Sequence, residues 1–341
     1  MTMRLSVLMT VFNGAATVEE AVGSVLGQTF SDFEFLIVDN ASTDDTLQKI
    51  SRLSDPRIRV IANTQNEGQT KALNRGIREA QGEFGARMDA DDVSHPDRFE
   101  TQINVFDSHP NLGILGSWHD EISETGKYLK TMKYPTDPLE IKCHLLSDGN
   151  LTKRCLAHPT VMFRTAVLRA AGGYNESIRF AQDYDLWTRL IGTVEMSNVG
   201  RPLLKYRSSQ KSASNVHRAE LSLELDQIVL ANIGRLLPDS LDAERQILLD
   251  ALRNRSLDSS VTLPQIDQLF NRLFDGLFLG KEMPATAVVH RELIKTYLLP
   301  RFFKNNPLQA VTALGGRLRQ HPGFLLDSKL QKNVLKVLLN K

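Results

Sequence analysis

Two hydrophobic rhythms alternate over the first hundred residues. RLSVLMTVF, residues 4–12, is a largely apolar run of strand length. AATVEEAVGSVLGQ then places Val18, Ala21, Val22, Val25 and Leu26 at the spacing of one helical face. FEFLIVDN predicts a second strand, and STDDTLQKISRL a helix that opens on Ser/Thr/Asp capping chemistry. RIRVIAN, TKALNRGIREA and FGARM continue as strand, helix and strand. Strands that read as nearly unbroken apolar runs are buried on both faces. Their alternation with helices predicts an α/β fold, a mostly parallel sheet flanked by helices.

The pattern then loosens. Residues 96–107 predict a helix opened by Pro96, and 111–134 an irregular, strand-rich stretch. TAVLRAAGGY reads as a helix ended by Gly172 and Gly173, DYDLWTRLIG as another helix, and RPLLKYRSS as a last strand. From about residue 216 helical periodicity dominates. The polar segment SSQKSASN therefore marks a boundary between a domain of residues 1–215, with halves 1–95 and 96–215, and an all-helical region, 216–341.

Parallel sheets bind ligands at the carboxyl ends of their strands. The polar clusters fall there: Thr10 to Asn13, Asp39 and Asn40, Asn63 to Gly68, and Asp89 to Asp92. The last cluster collects three aspartates in four positions, and like charges that close repel. Mg²⁺ or Mn²⁺, which takes hard oxygen ligands, would relieve them. Asp89 and Asp91 alternate along extended backbone and so share a face. A solvated loop before the Pro96 helix is the simpler reading. DADDV also fits the pattern of an aspartate-nucleophile phosphatase, but that pattern belongs after the first strand of a domain, and about 85 residues precede it here. No GxG and no P-loop motif occurs. Arg87, inside a predicted strand, requires a carboxylate partner.

Charge changes the picture at one end only. The net charge is +1, yet residues 281–341 hold eleven Lys and Arg against three acids, or +8, which leaves −7 for the rest. With the leucines of FLLDSKLQKNVLKVLLNK, this suggests a dock for an anionic membrane surface or a partner; a plain helical subdomain is the simpler reading. The basic residues are dispersed without interleaved aromatics, which argues against nucleic acid. Cys143 and Cys155 lack metal-site spacing, and no apolar run approaches the ~20 residues of a membrane span. The start lacks the long apolar core of a signal peptide. The expected location is cytoplasmic, peripheral at the inner face of the membrane.

Three ordered blocks carry a family resemblance. LMTVFNGAATVEEAVGSVLGQTFSDFEFLIVDNASTDDT resembles the opening of family 2 glycosyltransferases with the GT-A fold. NEGQTKALNRGIREAQGEFGARMDADDVSHPDRFETQ is similar to their middle, and HPTVMFR, GGYNE and FAQDYDLWTRL to their acceptor-side half. The likeness spans residues 4–207. It implies a Rossmann-like transferase that binds a nucleotide-sugar donor, with UDP favoured. By this correspondence Thr10, Val11 and Asn13 touch the nucleotide, and Asp39 accepts a hydrogen bond from the base. Asn66, Gly68 and Lys71 border base and ribose, and Asp89 lies near ribose and metal. Asp91 is the main ligand of the divalent cation, and Asp92 either reaches the metal or caps the next helix. Asp183 takes the place of the general base that deprotonates an acceptor hydroxyl, so one sugar moves with inversion to a glycan or lipid-linked acceptor. His158 and Trp187 fall near the site and also fit packed core positions. Asp185 is expected to make a structural contact.

The departures matter too. Gln182 stands where the family often has Glu, which removes a charge beside Asp183. Ser209 stands where many members have His, and His217 comes late, so metal binding would rest on the aspartates. The processive signature Gln-x-x-Arg-Trp is absent, which implies transfer of single sugars. A binding protein that kept the nucleotide crevice without catalysis is the alternative of a different class; the filled positions Asp91 and Asp183 argue against it.

Overall fold

The computed structural model describes residues 3–147, 155–209, 216–253, 257, 258 and 260–278. The expected alternation forms: β1 (Leu5–Val11), α1 (Val18–Leu26), β2 (Phe33–Asp39), α2 (Thr46–Ser51), β3 (Ile58–Ala62), α3 (Gln69–Glu79) and β4 (Phe84–Asp89). These four strands pair in parallel in the order β3-β2-β1-β4. Every residue of β2 is buried, as its unbroken apolar run requires. Helix α1 turns Val18, Ala21, Val22 and Val25 into the core, against Phe33, Phe35, Phe84, Phe99 and Phe106. Burying each such ring stabilises the fold by about 1.5–3 kcal/mol before conformational entropy is counted. The capping of α2 comes from Asp44, whose Oδ1 accepts the Thr46 N–H at 3.1 Å.

The rest of the sheet is mixed. It comprises β5 (Val93–Ser94), β6 (Leu112–Ile122), β7 (Tyr128–Met132), β8 (Met162–Arg164) and β9 (Glu195–Arg207). The sheet continues β4-β8-β6-β9-β5, with β7 on β6. Strand β8 runs antiparallel to both β4 and β6, whereas β6 and β9 are parallel. Helix α4 (Arg98–Ser108) packs Phe99, Ile103 and Phe106 inward; α5 (Pro138–Ser147), α6 (Thr165–Ala170) and α7 (Gln182–Leu190) follow. The last strand begins six residues before the expected Arg201. Its first half hides in the sequence because Asn198 is a buried alternate position, donating to the Pro135 and Cys155 carbonyls at 2.7 and 2.6 Å. Strands of two and three residues, β5 and β8, are too short to show a period.

Residues up to Leu145 and the described residues from Cys155 to Leu225 form one compact unit; Leu146, Ser147 and the described residues from Asp226 onward belong to a second. Helix α8 (Arg218–Leu236) begins in the first. The second contains α9 (Asp242–Leu252) and α10 (Leu263–Leu277), built around Leu248, Phe270, Leu273 and Phe274. Thr262 and Gln265 form a capping box at the start of α10. The basic tail, residues 281–341, and most of the expected boundary segment lie outside the described residues. No described helix is long and apolar enough to cross a membrane.

One glycine fixes how α3 returns into β4. The Gly82 N–H donates to Ser6 Oγ at 2.8 Å, and Ser6 Oγ donates to Glu34 Oε1 at 2.6 Å. A Cβ at Gly82 would meet backbone that cannot swing away, the Ser6 nitrogen and, at 2.6 Å, the Leu5 carbonyl carbon. Gly82→Ala is expected to lower unfolding free energy by about 1–3 kcal/mol, read from the urea midpoint. An unchanged midpoint would show that the backbone at the start of β1 and β4 yields freely.

Candidate active site

Strand register sets the predicted nucleotide-side residues in one row. Thr10 pairs with Asp89 on one side, and Val11 pairs with Asp39 on the other. Asp39 is fully buried; its Oδ2 accepts the Ser42 N–H at 3.1 Å. Its Oδ1, also buried, has no partner among the described residues. Such an acceptor is costly unless something donates to it. Beside it Asn40 donates to Asn66 Oδ1 at 2.8 Å and accepts from Asn63 at 2.9 Å. Asn66 Oδ1 also accepts the Gly68 N–H, and Gly68 sits at φ +87° just before α3. Asn13, at φ +54°, uses its Oδ1 to accept the Thr43 N–H at 2.8 Å. Lys71 is exposed on α3.

The end of β4 concentrates charge. One carboxylate oxygen from each of Asp89, Asp91 and Asp92 lies within 4.8 Å of the others. Arg87 is 4% exposed and forms an ion pair with Asp89, the partner its buried position demands. Arg98, wholly buried, donates to the Arg87 carbonyl at 2.8 Å. Burial, followed by repulsion from Arg87, pulls its guanidinium down to about 9, still charged near neutrality. Arg207 closes the loop from the far end of β9. Its backbone N–H donates to Asp92 Oδ1 at 2.8 Å and its Nε to the Asp91 carbonyl at 2.8 Å. Asp92 therefore does not cap α4; it faces inward, and Asp97 takes the capping position.

These cations leave negative charge uncompensated. Burial, and then Asp89 and Asp91, hold Asp92 well above the usual carboxylate range. Asp91 opens to solvent within a cavity whose walls displace much of the bulk water; that desolvation, then Asp89, raises it to about 6. The buried Asp92 Oδ2 has no partner among the described residues. A set of hard oxygen donors with one orphaned oxygen fits a divalent cation of the Mg²⁺ or Mn²⁺ kind, held by Asp89 and Asp91 with Asp92 behind them.

Asp89 and Asp91 line a cavity of about 530 Å³, together with Arg87, His158, Gln182 and Asp183. Asp183 lies in the first turn of α7, where its Oδ1 accepts the Tyr184 N–H at 2.8 Å. Burial pushes its carboxyl up to about 6, against the lowering pull of that hydrogen bond and of Arg87. His158 shares a 2.8 Å hydrogen bond with the Tyr174 hydroxyl, and burial keeps its imidazole neutral. Trp187 is buried edge-on to His158, 6.2 Å between ring centres, and does not line the cavity. Asp185 pairs with Arg189 at 2.8 Å, a structural contact. Ser209 lines the cavity and donates to Glu124 at 2.7 Å, whereas His217 stacks on Phe180 at 4.6 Å. The predicted nucleotide-side residues Thr10, Val11, Asn13, Asp39, Asn66, Gly68 and Lys71 do not line this cavity. They occupy the strand-end row that meets it at Asp89.

Sequence reading passed over Arg207 and Tyr206. The Tyr-Arg pair ending an apolar strand is visible, but nothing local says that it closes on a loop 115 residues earlier. Tyr206, beside His119 and Tyr134, forms an aromatic wall of the cavity.

Comparison with known proteins agrees with this architecture. The model of glycosyl transferase family 2 matches residues 6–171. The O-antigen biosynthesis glycosyltransferase WbnJ of Escherichia coli is 33% identical over 218 residues, 61% of this chain and 83% of that protein. A second E. coli relative is the UDP-Glc:alpha-D-GlcNAc-diphosphoundecaprenol beta-1,3-glucosyltransferase WfgD. It is 28% identical over 226 residues, 65% of this chain and 84% of that protein. Among solved structures, S. aureus TarS in complex with UDP superposes with a TM-score of 0.56 at 20% identity, covering 93% of this chain and 89% of that one. The chain belongs to the family 2 glycosyltransferases, and its fold is the GT-A type. It is a transferase enzyme, which displaces the readings of DADDV as a phosphatase motif and of the crevice as a purely binding one.

Removing Arg207 tests the geometry of the acidic loop. Arg207→Met is expected to weaken Mn²⁺-dependent binding of UDP about tenfold or more, the scale of lost support behind a metal ligand. Calorimetric titration with UDP and Mn²⁺ measures this, and unchanged affinity would mean the loop holds itself.

Proposed function

We propose that this enzyme moves one sugar from a UDP-sugar to a hydroxyl of a glycan or lipid-linked acceptor, with inversion, and that Asp183 is its general base. The observation carrying the reading is that Asp183 and the acidic cluster line one cavity. Nucleophile activation and leaving-group departure must occur on opposite faces of the sugar ring.

The bond between the anomeric carbon and the donor's β-phosphate oxygen breaks, and UDP leaves with its electron pair. A bond forms between that carbon and the acceptor oxygen, and the hydroxyl proton passes to Asp183. A divalent cation held by Asp89 and Asp91 would supply the positive charge that stabilises the departing diphosphate. A carboxylate near 6 suits a base, because it is ionised near neutrality and still basic enough to take a proton. Arg87 braces Asp89, and neutral His158 holds Tyr174 at the back of the cavity. The unpaired Oδ1 of Asp39 supports recognition of a base N–H such as that of uracil.

The relatives support the substrate class. TarS is described in complex with UDP and with UDP-GlcNAc, whereas a mannosyltransferase of Pyrobaculum calidifontis, at TM-score 0.51, is described with GDP-Man and Mn²⁺. The name of WfgD describes a UDP-glucose donor and a diphosphoundecaprenol-linked acceptor. A lipid-linked saccharide is the acceptor class we favour.

Asp183→Asn is expected to lower turnover at least ~100-fold, the usual worth of a general base, while UDP affinity stays within about twofold. UDP release from a panel of UDP-sugars with Mn²⁺ reads the first quantity and calorimetry the second. Turnover that survives the change rejects the base assignment. The parent enzyme carries a pH signature as well. The ionised form of Asp183 is the active one, and its proton is held up to about pH 6. Turnover should therefore fall about tenfold per pH unit below that value and level off above it. A flat profile down to pH 5 would exclude a carboxylate of raised pKa.

A further inference from the structure

The loop that delivers Asp183 is held from outside itself. Residues 179–181 run into the first turn of α7 and line the cavity. Glu224, in the second turn of α8, accepts all three of their backbone N–H groups. Arg179 donates at 2.7 Å, Phe180 at 2.8 Å and Ala181 at 3.0 Å. The upstream end is pinned separately, Thr70 Oγ1 donating to the Ile178 carbonyl at 2.9 Å. The Gln182 amide satisfies both of its ends with its nitrogen toward the Arg179 and Phe180 carbonyls, 3.2 and 3.1 Å away. Neither helix nor sheet supplies these bonds. Two side chains, one an acceptor of N–H groups and one a donor to carbonyls, specify the backbone.

We infer that Glu224 is a positioning residue for catalysis. It fixes the approach of the 179–181 loop and, through it, the place of the Asp183 carboxylate in the cavity. The inference rests on Asp183 being the base. Glu224 lies outside the residues matched by the family model, 6–171, so the helix after the last strand is part of the working site. Hydrogen bonds to an ionised acceptor are the strong ones, and three on one carboxylate hold a loop that would otherwise present unpaired donors at a cavity rim.

A double-mutant cycle in the full chain separates positioning from general support. The probe is UDP release from UDP-glucose, UDP-galactose and UDP-GlcNAc with Mn²⁺, with water as acceptor. Glu224→Ala is expected to lower turnover at least ~10-fold, with UDP affinity within about twofold of the parent. Glu224→Gln, which keeps an oxygen acceptor, should recover part of the loss. Hydrogen exchange at the Arg179, Phe180 and Ala181 amides should quicken, while that in β1 and β2 stays unchanged. In the Asp183→Asn background the alanine change should cost less than about twofold, because the group it positions is gone. Turnover within twofold of the parent in Glu224→Ala overturns the inference. So does an equal loss in both backgrounds, or loss of UDP binding together with faster exchange in the central strands. If Asp183→Asn alone leaves turnover intact, the base assignment fails and this inference with it. If Asp183→Asn is inactive and Glu224→Ala is not, only this inference fails.

Discussion

Three carboxylates at the end of β4 set the terms for everything around them. Their oxygens lie within 4.8 Å of one another, and two ionised carboxylates at that separation repel by on the order of 3 kcal/mol at an effective dielectric of about 20, less where solvent reaches Asp91. The fold answers with cations placed from different directions. Arg87 comes from the same strand and pairs with Asp89, Arg98 comes from α4 beneath it, and Arg207 comes from the end of β9. Each is buried, so each is itself costly without the acids. The cluster and its counter-charges are thus mutually dependent, and removing one partner strands the others.

The compensation is incomplete, and that incompleteness is what a donor complex can use. Asp91 and Asp92 keep raised proton affinities even with three arginines nearby. The remaining negative charge on hard oxygen donors suits a doubly charged cation. Asp183 belongs to the same economy of charge, because Arg87 lowers it while Asp89 raises it. The Asp183 carboxyl and the acidic cluster are therefore coupled through one buried guanidinium.

The scaffold explains why that site is rigid. Strands β1, β2 and β4 are buried on both faces, and their register places Thr10, Asp39 and Asp89 side by side with no freedom to slip. The mixed half wraps the other wall, bringing β9 against β5 so that Arg207 reaches the acidic loop. Bulges in the pairing of β6 with β9, around Ser117 and Trp118, accompany that wrapping. The loop before Asp183 is held more by side chains than by ladders.

The amino-acid sequence alone determined the alternation of strands and helices to β4, the row of polar strand ends and the family. Those features depend on local period and on residues adjacent in the chain, so they can be read in order. A structural contact for Asp185 was legible as well; its partner, Arg189 one helical turn away, came with the structure. The tertiary structure decided the rest. It paired Arg207 with Asp92 across 115 residues and Glu224 with the 179–181 backbone across more than 40. It inserted β8 between β4 and β6, and it extended β9 back through the buried Asn198, ahead of the expected strand. These contacts follow from register and burial, which belong to the assembled sheet and leave no periodic mark on the chain.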